Sequence, residues 1–232
     1  SDVCSSDLRK RAIIPDCLPQ LVLVRHGQSE TNALGIFTGN LDPPLTQAGV
    51  DEALALGLFL HSRAYTFDVA FSSLLRRATA SLDLVLSALS PPLPPIFLSA
   101  ALNERNYGDL NGRERSDVAN EFGEELTNAW RRSYVVVPPG LGAESLQMTC
   151  ARVMEFYAAE IKGRLMRGER VLLVSHGNTL RALVMRLEGM GEEEVRKLQL
   201  GTAAMRTYRL GADGEVKERE LFLVNGQEGT QY

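Results

Sequence analysis

Residues 21–32 read Leu-Val-Leu-Val-Arg-His-Gly-Gln-Ser-Glu-Thr-Asn, and residues 171–177 read Val-Leu-Leu-Val-Ser-His-Gly. Each stretch opens with four apolar residues, the pattern of a strand buried on both faces of a parallel sheet. Each closes on a His-Gly pair. In open α/β sheets ligands sit outside the carboxyl ends of the strands, so both histidines are delivered to the edge where chemistry takes place. The chain has three histidines, and two of them occupy this matched setting. A lone strand-end histidine is often a plain structural residue; the repetition favours one site holding both His26 and His176.

Outward from these strands, helix and strand patterns alternate. Thr46 is placed to cap a helix running to about His61, with Ala53, Leu54, Gly57 and Leu58 predicted on one face. Asp68 to Phe71 reads as a strand, and Ser72 and Ser73 open the turn into a helix whose stripe is Leu82, Val85, Leu86 and Leu89. Pro91 to Pro95 ends that helix, and Ile96 to Leu98 is a short third strand. Ser145 caps a helix with the stripe Leu146, Cys150, Val153, Tyr157 and Ile161, closed by Gly168. A helix from about Asn178 to Glu188 follows the second His-Gly strand. Two last strands, near 205–210 and 216–223, flank a Gly-Ala-Asp-Gly turn. This order predicts an α/β fold, a three-layer α/β/α sandwich around a mostly parallel sheet. One domain spans 21–225, after an irregular lead-in at 9–20 and before a tail at 226–232. The loop at 26–46 is long enough to be functional. Residues 100–143 lack a strand pattern, hold a short helix near 116–122, and read as an insertion over the strand ends, a lid or pocket wall.

Composition narrows the class. At 232 residues, 44% hydrophobic and 23% charged, the chain suits a water-soluble globular fold with a full core. No apolar run reaches membrane-spanning length and the start shows no signal-peptide pattern, so no membrane partner is expected. A net charge of −4 argues against general nucleic-acid binding. Cys4, Cys17 and Cys150 have no metal-type spacing and suggest no disulfide framework, which points to a reducing cytoplasm. Residues 1–8, Ser-Asp-Val-Cys-Ser-Ser-Asp-Leu, read as the in-frame translation of a widely used short-read sequencing adapter fused to the coding sequence. Resequencing the locus tests this; a genomic copy of those codons would end it.

The residue types around His26 point to phosphorus. Neither a serine or cysteine nucleophile elbow nor a zinc-type His-Glu-x-x-His lies beside it. A neutral imidazole is a competent nucleophile. A phosphoryl group spreads negative charge over three oxygens and asks for positioned cations. Arg25, Arg77 and the Arg131-Arg132 pair supply them, with forks suited to bidentate phosphate contacts. Arg76, Arg152 and Arg164 read as solvated surface charges, His61 as surface structure, and Trp130 as packing.

Arg25-His26-Gly27, Asn32, Thr38-Gly39 and the second histidine at His176, taken in order, resemble the histidine phosphatase superfamily. Leu102 to Gly108 and Trp130 to Tyr134 resemble one branch, the cofactor-dependent phosphoglycerate mutases. The resemblance runs from about Leu21 to Tyr208 and implies a cytoplasmic enzyme of glycolysis and gluconeogenesis acting on small phosphorylated three-carbon acids. It implies 2,3-bisphosphoglycerate as primer and intermediate, no metal, and a homodimer or higher homo-oligomer. In that resemblance His26 carries the phosphoryl group, and His176 donates a hydrogen bond to it. Arg25, Arg77, Asn32 and the backbone of Gly177 hold it, and Glu104 carries the proton of the substrate hydroxyl. Thr38, Gly39, Tyr107, Arg131, Arg132 and Asn178 meet the substrate's carboxylate and its other phosphate. A structural ion pair is the plainer reading of Glu104.

The chain departs from the resemblance at several points. Arg115 stands where the mutases usually carry lysine, with a substrate contact still expected; Thr31 stands in place of a tryptophan wall; and Gly201 to Met205 does not follow the usual Thr-Gly-x-Pro pattern. The stretch between Tyr134 and Glu144 is short, and a more open lid admits water. A phosphatase acting on small phosphate esters through the same histidines is therefore the alternative, and a noncatalytic sensor of phosphorylated metabolites a third reading. Glu104, Tyr107, Arg131 and Arg132 favour the mutase, and the intact His26, His176 and Arg77 argue against the sensor.

Overall fold

The four-residue apolar runs become the two central strands of a six-stranded sheet of order β3-β2-β4-β1-β5-β6. The computed structural model describes residues 20–211 and 213–222. The adapter-like residues 1–8, nearly all of the lead-in, the tail at 226–232, and Cys4 and Cys17 lie outside the described residues. In chain order the elements are β1 (Leu21–Arg25), α1 (Glu30–Ala33), α2 (Gln47–Ser62), β2 (Val69–Ser72), α3 (Arg76–Ser87), β3 (Ile96–Leu98), α4 (Arg115–Phe122) and α5 (Glu124–Arg132). They continue with α6 (Leu146–Phe156), α7 (Lys162–Met166), β4 (Val171–Ser175), α8 (Gly177–Leu187), α9 (Glu192–Lys197), β5 (Met205–Leu210) and β6 (Val216–Phe222). Strands β1 to β4 pair in parallel, and β5 and β6 are added antiparallel at one side.

The period of two along each strand builds the layers. Leu21, Leu23, Val69, Phe71, Val171 and Leu173 pack with α6 and α8 residues such as Cys150, Val153, Leu180 and Val184. Val22, Val24, Ala70, Leu172 and Val174 pack on the other face with Leu56, Leu60, Leu82 and Val85 of α2 and α3. The three-layer α/β/α sandwich follows from two-sided burial of these strands.

Register then places the chemistry. β1 and β4 pair in parallel from Leu21↔Val171 to Arg25↔Ser175. The next residue on each strand is a histidine, so His26 and His176 arrive side by side, with ring centroids 5.0 Å apart.

Several expectations need correction. The buried face of α2 is Gly49, Ala53, Leu56, Gly57 and Leu60, whereas Leu58 faces solvent and Leu54 is half-buried. Backbone contact decides this face: a Cβ on Gly57 would lie 2.7 Å from the carbonyl of Val85 in α3. Helices α5 and α9 were not expected; each is short and polar, with Thr127 and Trp130 buried in the first and Val195 in the second. The helix expected from Leu146 to Gly168 carries a π-helical turn at Tyr157–Ile161 between α6 and α7. Its stripe runs in steps of four from Val153 to Ile161, and each such step drifts about 40° around an ideal α-helix. The wider π turn returns Tyr157 and Ile161 to the core. Arg152 is no solvated charge. Its guanidinium donates to both carboxylate oxygens of Glu144, at 2.7 and 3.0 Å, and to the carbonyls of Ala101, Asn103 and Glu104. Arg164 is half-buried, paired with Glu169 and lying over the rings of Phe71 and Phe97.

Candidate active site

A cavity of about 400 Å³ opens at the carboxyl ends of β1 and β4. The turn after β1 brings His26 there through close packing. Gly27 donates its N–H to Ser81 Oγ, and a Cβ on Gly27 would lie 2.1 Å from the carbonyl oxygen of Gly49. His26 is 2% exposed, and its Nδ1 lies 2.7 Å from the carbonyl oxygen of Gly27. A carbonyl only accepts, so Nδ1 carries the hydrogen and Nε2 keeps its lone pair. Burial, then the charges of Arg77 and Arg25, holds His26 well below the ordinary histidine pKa. The ring is a neutral imidazole, the nucleophilic form.

His176 lies beside it, fully buried, and burial followed by the charge of Arg77 likewise keeps it neutral. Its Nε2 is 2.7 Å from Ser73 Oγ, while its Nδ1 is buried without a hydrogen-bond partner among the described residues. Arg25 Nε and Arg77 Nε are also buried and unpartnered. Three buried nitrogens, two of them guanidinium donors, thus have no hydrogen-bond partner among the described residues, an arrangement that suits a phosphoryl group with three oxygens. Arg77 is fixed by donating to the carbonyls of Leu41 and Gly39, and Arg25 by donating to that of Leu200.

The loop after β1 adds polar groups. Ser29 and Asn32 form a reciprocal capping box at α1: the amide oxygen of Asn32 accepts from the Ser29 N–H at 3.3 Å, which leaves its NH₂ for the cavity it lines. Thr31, where a tryptophan wall was expected to be lost, holds Thr38 instead, with hydroxyl oxygens 2.7 Å apart. Gly39 has φ +47° and sits where a Cβ would meet the Asn111 side chain at 1.9 Å.

The insertion delivers the remaining groups from a small core of Phe37, Leu110, Val118 and Trp130. Glu104, Tyr107, Arg115, Arg131 and Arg132 all line the cavity. Glu104 is in no ion pair among the described residues; its Oε1 accepts from the backbone N–H groups of Arg105 and Asn178 at 2.8 and 3.1 Å. Among the described residues, six arginines, Arg25, Arg77, Arg115, Arg131, Arg132 and Arg181, line the cavity, with Glu104 as its one acidic lining residue. Burial pushes Arg77 and Arg181 down to about 10, and burial with the charge of Arg131 lowers Arg115 and Arg132. Such a cluster is relieved by a ligand with several negative charges.

Of the residues expected in the site, thirteen line the cavity, and His176 lies against the His26 ring. Asn178 lines the cavity, but its side chain is occupied, donating to Tyr107 Oη and accepting from Arg181. Gly177 lines the cavity at the start of α8, and the neighbouring Asn178 N–H is taken by Glu104. Arg181, Arg105 and Gln28 were not anticipated. Arg105 is fully buried, its guanidinium 4.5 Å from the centre of the Tyr107 ring, donating to the carbonyls of Trp130 and Arg131. Its signal was its place within the Leu102–Gly108 segment. Leu198 to Thr202, which include the first two residues of the divergent stretch, line the cavity, and Thr202 donates to Glu52, which accepts from the Gln28 N–H.

The family model of the histidine phosphatase superfamily (branch 1) matches residues 21–220. The chain belongs to the histidine phosphatase superfamily. Within the superfamily, it is 49% identical over 199 residues to a 2,3-bisphosphoglycerate-dependent phosphoglycerate mutase of Rhodopseudomonas palustris, covering 86% of this chain and 95% of that one. It is 48% identical to the protein of the same description from Azorhizobium caulinodans, covering 88% and 98%. Among solved structures, a putative alpha-ribazole-5'-P phosphatase of Escherichia coli matches with a TM-score of 0.72 at 28% identity, covering 88% of this chain and 96% of that chain.

Proposed function

We propose that this protein is a 2,3-bisphosphoglycerate-dependent phosphoglycerate mutase, interconverting 3-phosphoglycerate and 2-phosphoglycerate through a phosphohistidine at His26. The observation that carries this reading is the pairing of a neutral, oriented imidazole with a clamp of six arginines and one carboxylate. Hydrolysis of a simple phosphate ester asks for cations around one phosphate. This cavity has a second set, Arg115, Arg131 and Arg132, for a carboxylate and a further phosphate. The high identity to mutases of that description supports the same choice.

His26 Nε2 carries the phosphoryl group, because Nδ1 is committed to Gly27. Arg25, Arg77 and His176 Nδ1 satisfy its oxygens, joined by the amide of Asn32 and the N-terminal end of α8 at Gly177. The free hydroxyl of the monophosphoglycerate attacks phosphorus, the P–N bond breaks with its electron pair returning to the imidazole, and the hydroxyl proton passes to Glu104. In the return half, His26 Nε2 attacks the substrate's other phosphate, and the leaving oxygen takes the proton back from Glu104. Bound 2,3-bisphosphoglycerate supplies the phosphoryl group that primes His26. Its multiple negative charges fit the unpartnered donors and the arginine excess. Thr38, Gly39 and Tyr107 complete the rim that holds the non-reacting end.

The test is conversion of 3-phosphoglycerate to 2-phosphoglycerate with and without catalytic 2,3-bisphosphoglycerate, with free phosphate followed in parallel. Primer-dependent isomerisation with little phosphate release is expected. Phosphate release without isomerisation would overturn the mutase reading in favour of the phosphatase.

A further inference from the structure

Ser73 is the residue after β2, fully buried, and 103 positions from His176 in sequence. Its hydroxyl has two neighbours among the described residues: the Leu75 N–H, which donates to Oγ at 3.2 Å, and His176 Nε2 at 2.7 Å. Hydrogen counting decides the direction of the second contact. A neutral imidazole carries one hydrogen, on either Nδ1 or Nε2. With the hydrogen on Nε2, Ser73 Oγ would accept twice and its own hydrogen would have no acceptor in a buried place. His176 Nδ1 would then present a bare lone pair where phosphoryl oxygens gather. With the hydrogen on Nδ1, every group is satisfied: Leu75 N–H donates to Oγ, Oγ–H donates to Nε2, and Nδ1–H remains as the free buried donor.

We propose that Ser73 is a positioning residue for phosphoryl transfer: by donating to His176 Nε2 it keeps the imidazole hydrogen on Nδ1, the nitrogen that faces the transferring phosphoryl group. This rests on the phosphohistidine reading of His26. Ser73 itself touches neither substrate nor phosphoryl. It acts as the carboxylate does in a serine-protease triad, by fixing which ring nitrogen is the donor. The fold supplies the contact because β2 pairs with β4, from Val69↔Val171 to Ser72↔Val174, which carries Ser73 beside the turn after β4. The Ser72 hydroxyl reinforces that junction by donating to the carbonyl of Val174 at 3.0 Å.

The first experiment is ¹⁵N-histidine NMR of the full-length, unphosphorylated wild-type protein. Three histidines make assignment direct, with His61→Gln, an exposed position outside the cavity, removing one set of signals. The expected result is His176 as the Nδ1–H tautomer. An Nε2–H tautomer would overturn the proposal whatever the enzyme's activity. The second experiment compares Ser73→Ala and Ser73→Thr. Ser73→Ala is expected to lower kcat by about 10- to 100-fold with KM within about threefold, and to lose the pure Nδ1–H signature. Ser73→Thr, which keeps the hydroxyl, is expected to restore both. Unchanged kcat, or an unchanged tautomer, in a folded Ser73→Ala protein would overturn it. Failure of the underlying phosphohistidine reading looks different: wild-type His26 would then take up no phosphate, with the tautomer unaffected.

Discussion

Two buried neutral histidines make the fold sensitive to acid in a window that the structure defines. His26 and His176 both titrate well below 6.5 in the folded protein, chiefly because burial excludes their charged forms and then because Arg77 opposes them. In the unfolded chain both take protons around the usual value of about 6.5. Below that value the unfolded state binds more protons than the folded state, so stability falls as pH falls. The contribution is fully present above pH 6.5 and is lost progressively beneath it, down to the depressed folded values. From pH 7.0 to 5.5 the linkage integral is about 1.2 kcal/mol per histidine, or about 2.5 kcal/mol for the pair. For a domain of this size that corresponds to a drop in Tm of roughly 5–10 °C. The carboxylates whose ion pairs depress them, Asp68, Glu169 and Asp213, titrate below this window. Urea unfolding of the unphosphorylated protein at pH 7.0 and 5.5, in buffers free of phosphate and other multivalent anions, measures the difference. His26→Asn should roughly halve it. A change under about 0.5 kcal/mol would refute the neutral, buried histidine pair.

Three substitutions extend the test. Arg115→Ala should raise KM for phosphoglycerate by about tenfold or more, the loss of one charge-assisted contact, with a smaller effect on kcat; steady-state kinetics with both parameters unchanged would contradict its place in the clamp. Arg152→Ala removes the tie between Glu144 and the carbonyls at 101, 103 and 104. With the Glu104 backbone no longer tied to Arg152, kcat should fall by about 10- to 100-fold with modest loss of stability, and kcat near the wild-type value would show that Arg152 is only structural. Glu188→Gln should cost about 3 kcal/mol in denaturant unfolding, because that carboxylate is 2% exposed and is shared by Arg206, Arg219 and Tyr208. An unchanged midpoint would refute a stabilising role for this cluster.

What the sequence made legible was what depends on local pattern. Four-residue apolar runs ending in His-Gly declared central strands, and parallel pairing put their ends together without further information. Helix starts at Thr46 and Ser145 were readable because each side chain accepts from the N–H three residues on, at Gly49 and Met148. The buried face of α2 was not readable, since residues 53–60 are apolar nearly all round and a glycine contact with α3 chooses the face. Helix α5 was hidden because its reason for existing is non-local: Trp130 fills a small core with Phe37, and Arg105 holds the carbonyls at its end. Arg152 was not readable for the same reason: the carbonyls it binds lie about fifty residues upstream, at 101–104. The departure at residues 201–205 left the role of this segment open in the sequence, and its backbone accepts from the Arg25 N–H at Ala204 and donates to the His26 carbonyl from Ala203. Ser73 stood in a recognised turn, and its part became visible only when pairing of β2 with β4 set it against His176.

The most direct test of the central claim is the chemical identity of the phosphoenzyme. The protein is incubated with ³²P-labelled 2,3-bisphosphoglycerate, separated from free ligand, and chased with unlabelled 3-phosphoglycerate. The account predicts one acid-labile, base-stable phosphate per chain, located on His26, absent from His26→Asn, and passed to phosphoglycerate in the chase. Label that does not form on His26, or that leaves only as inorganic phosphate when 3-phosphoglycerate is added, would contradict it.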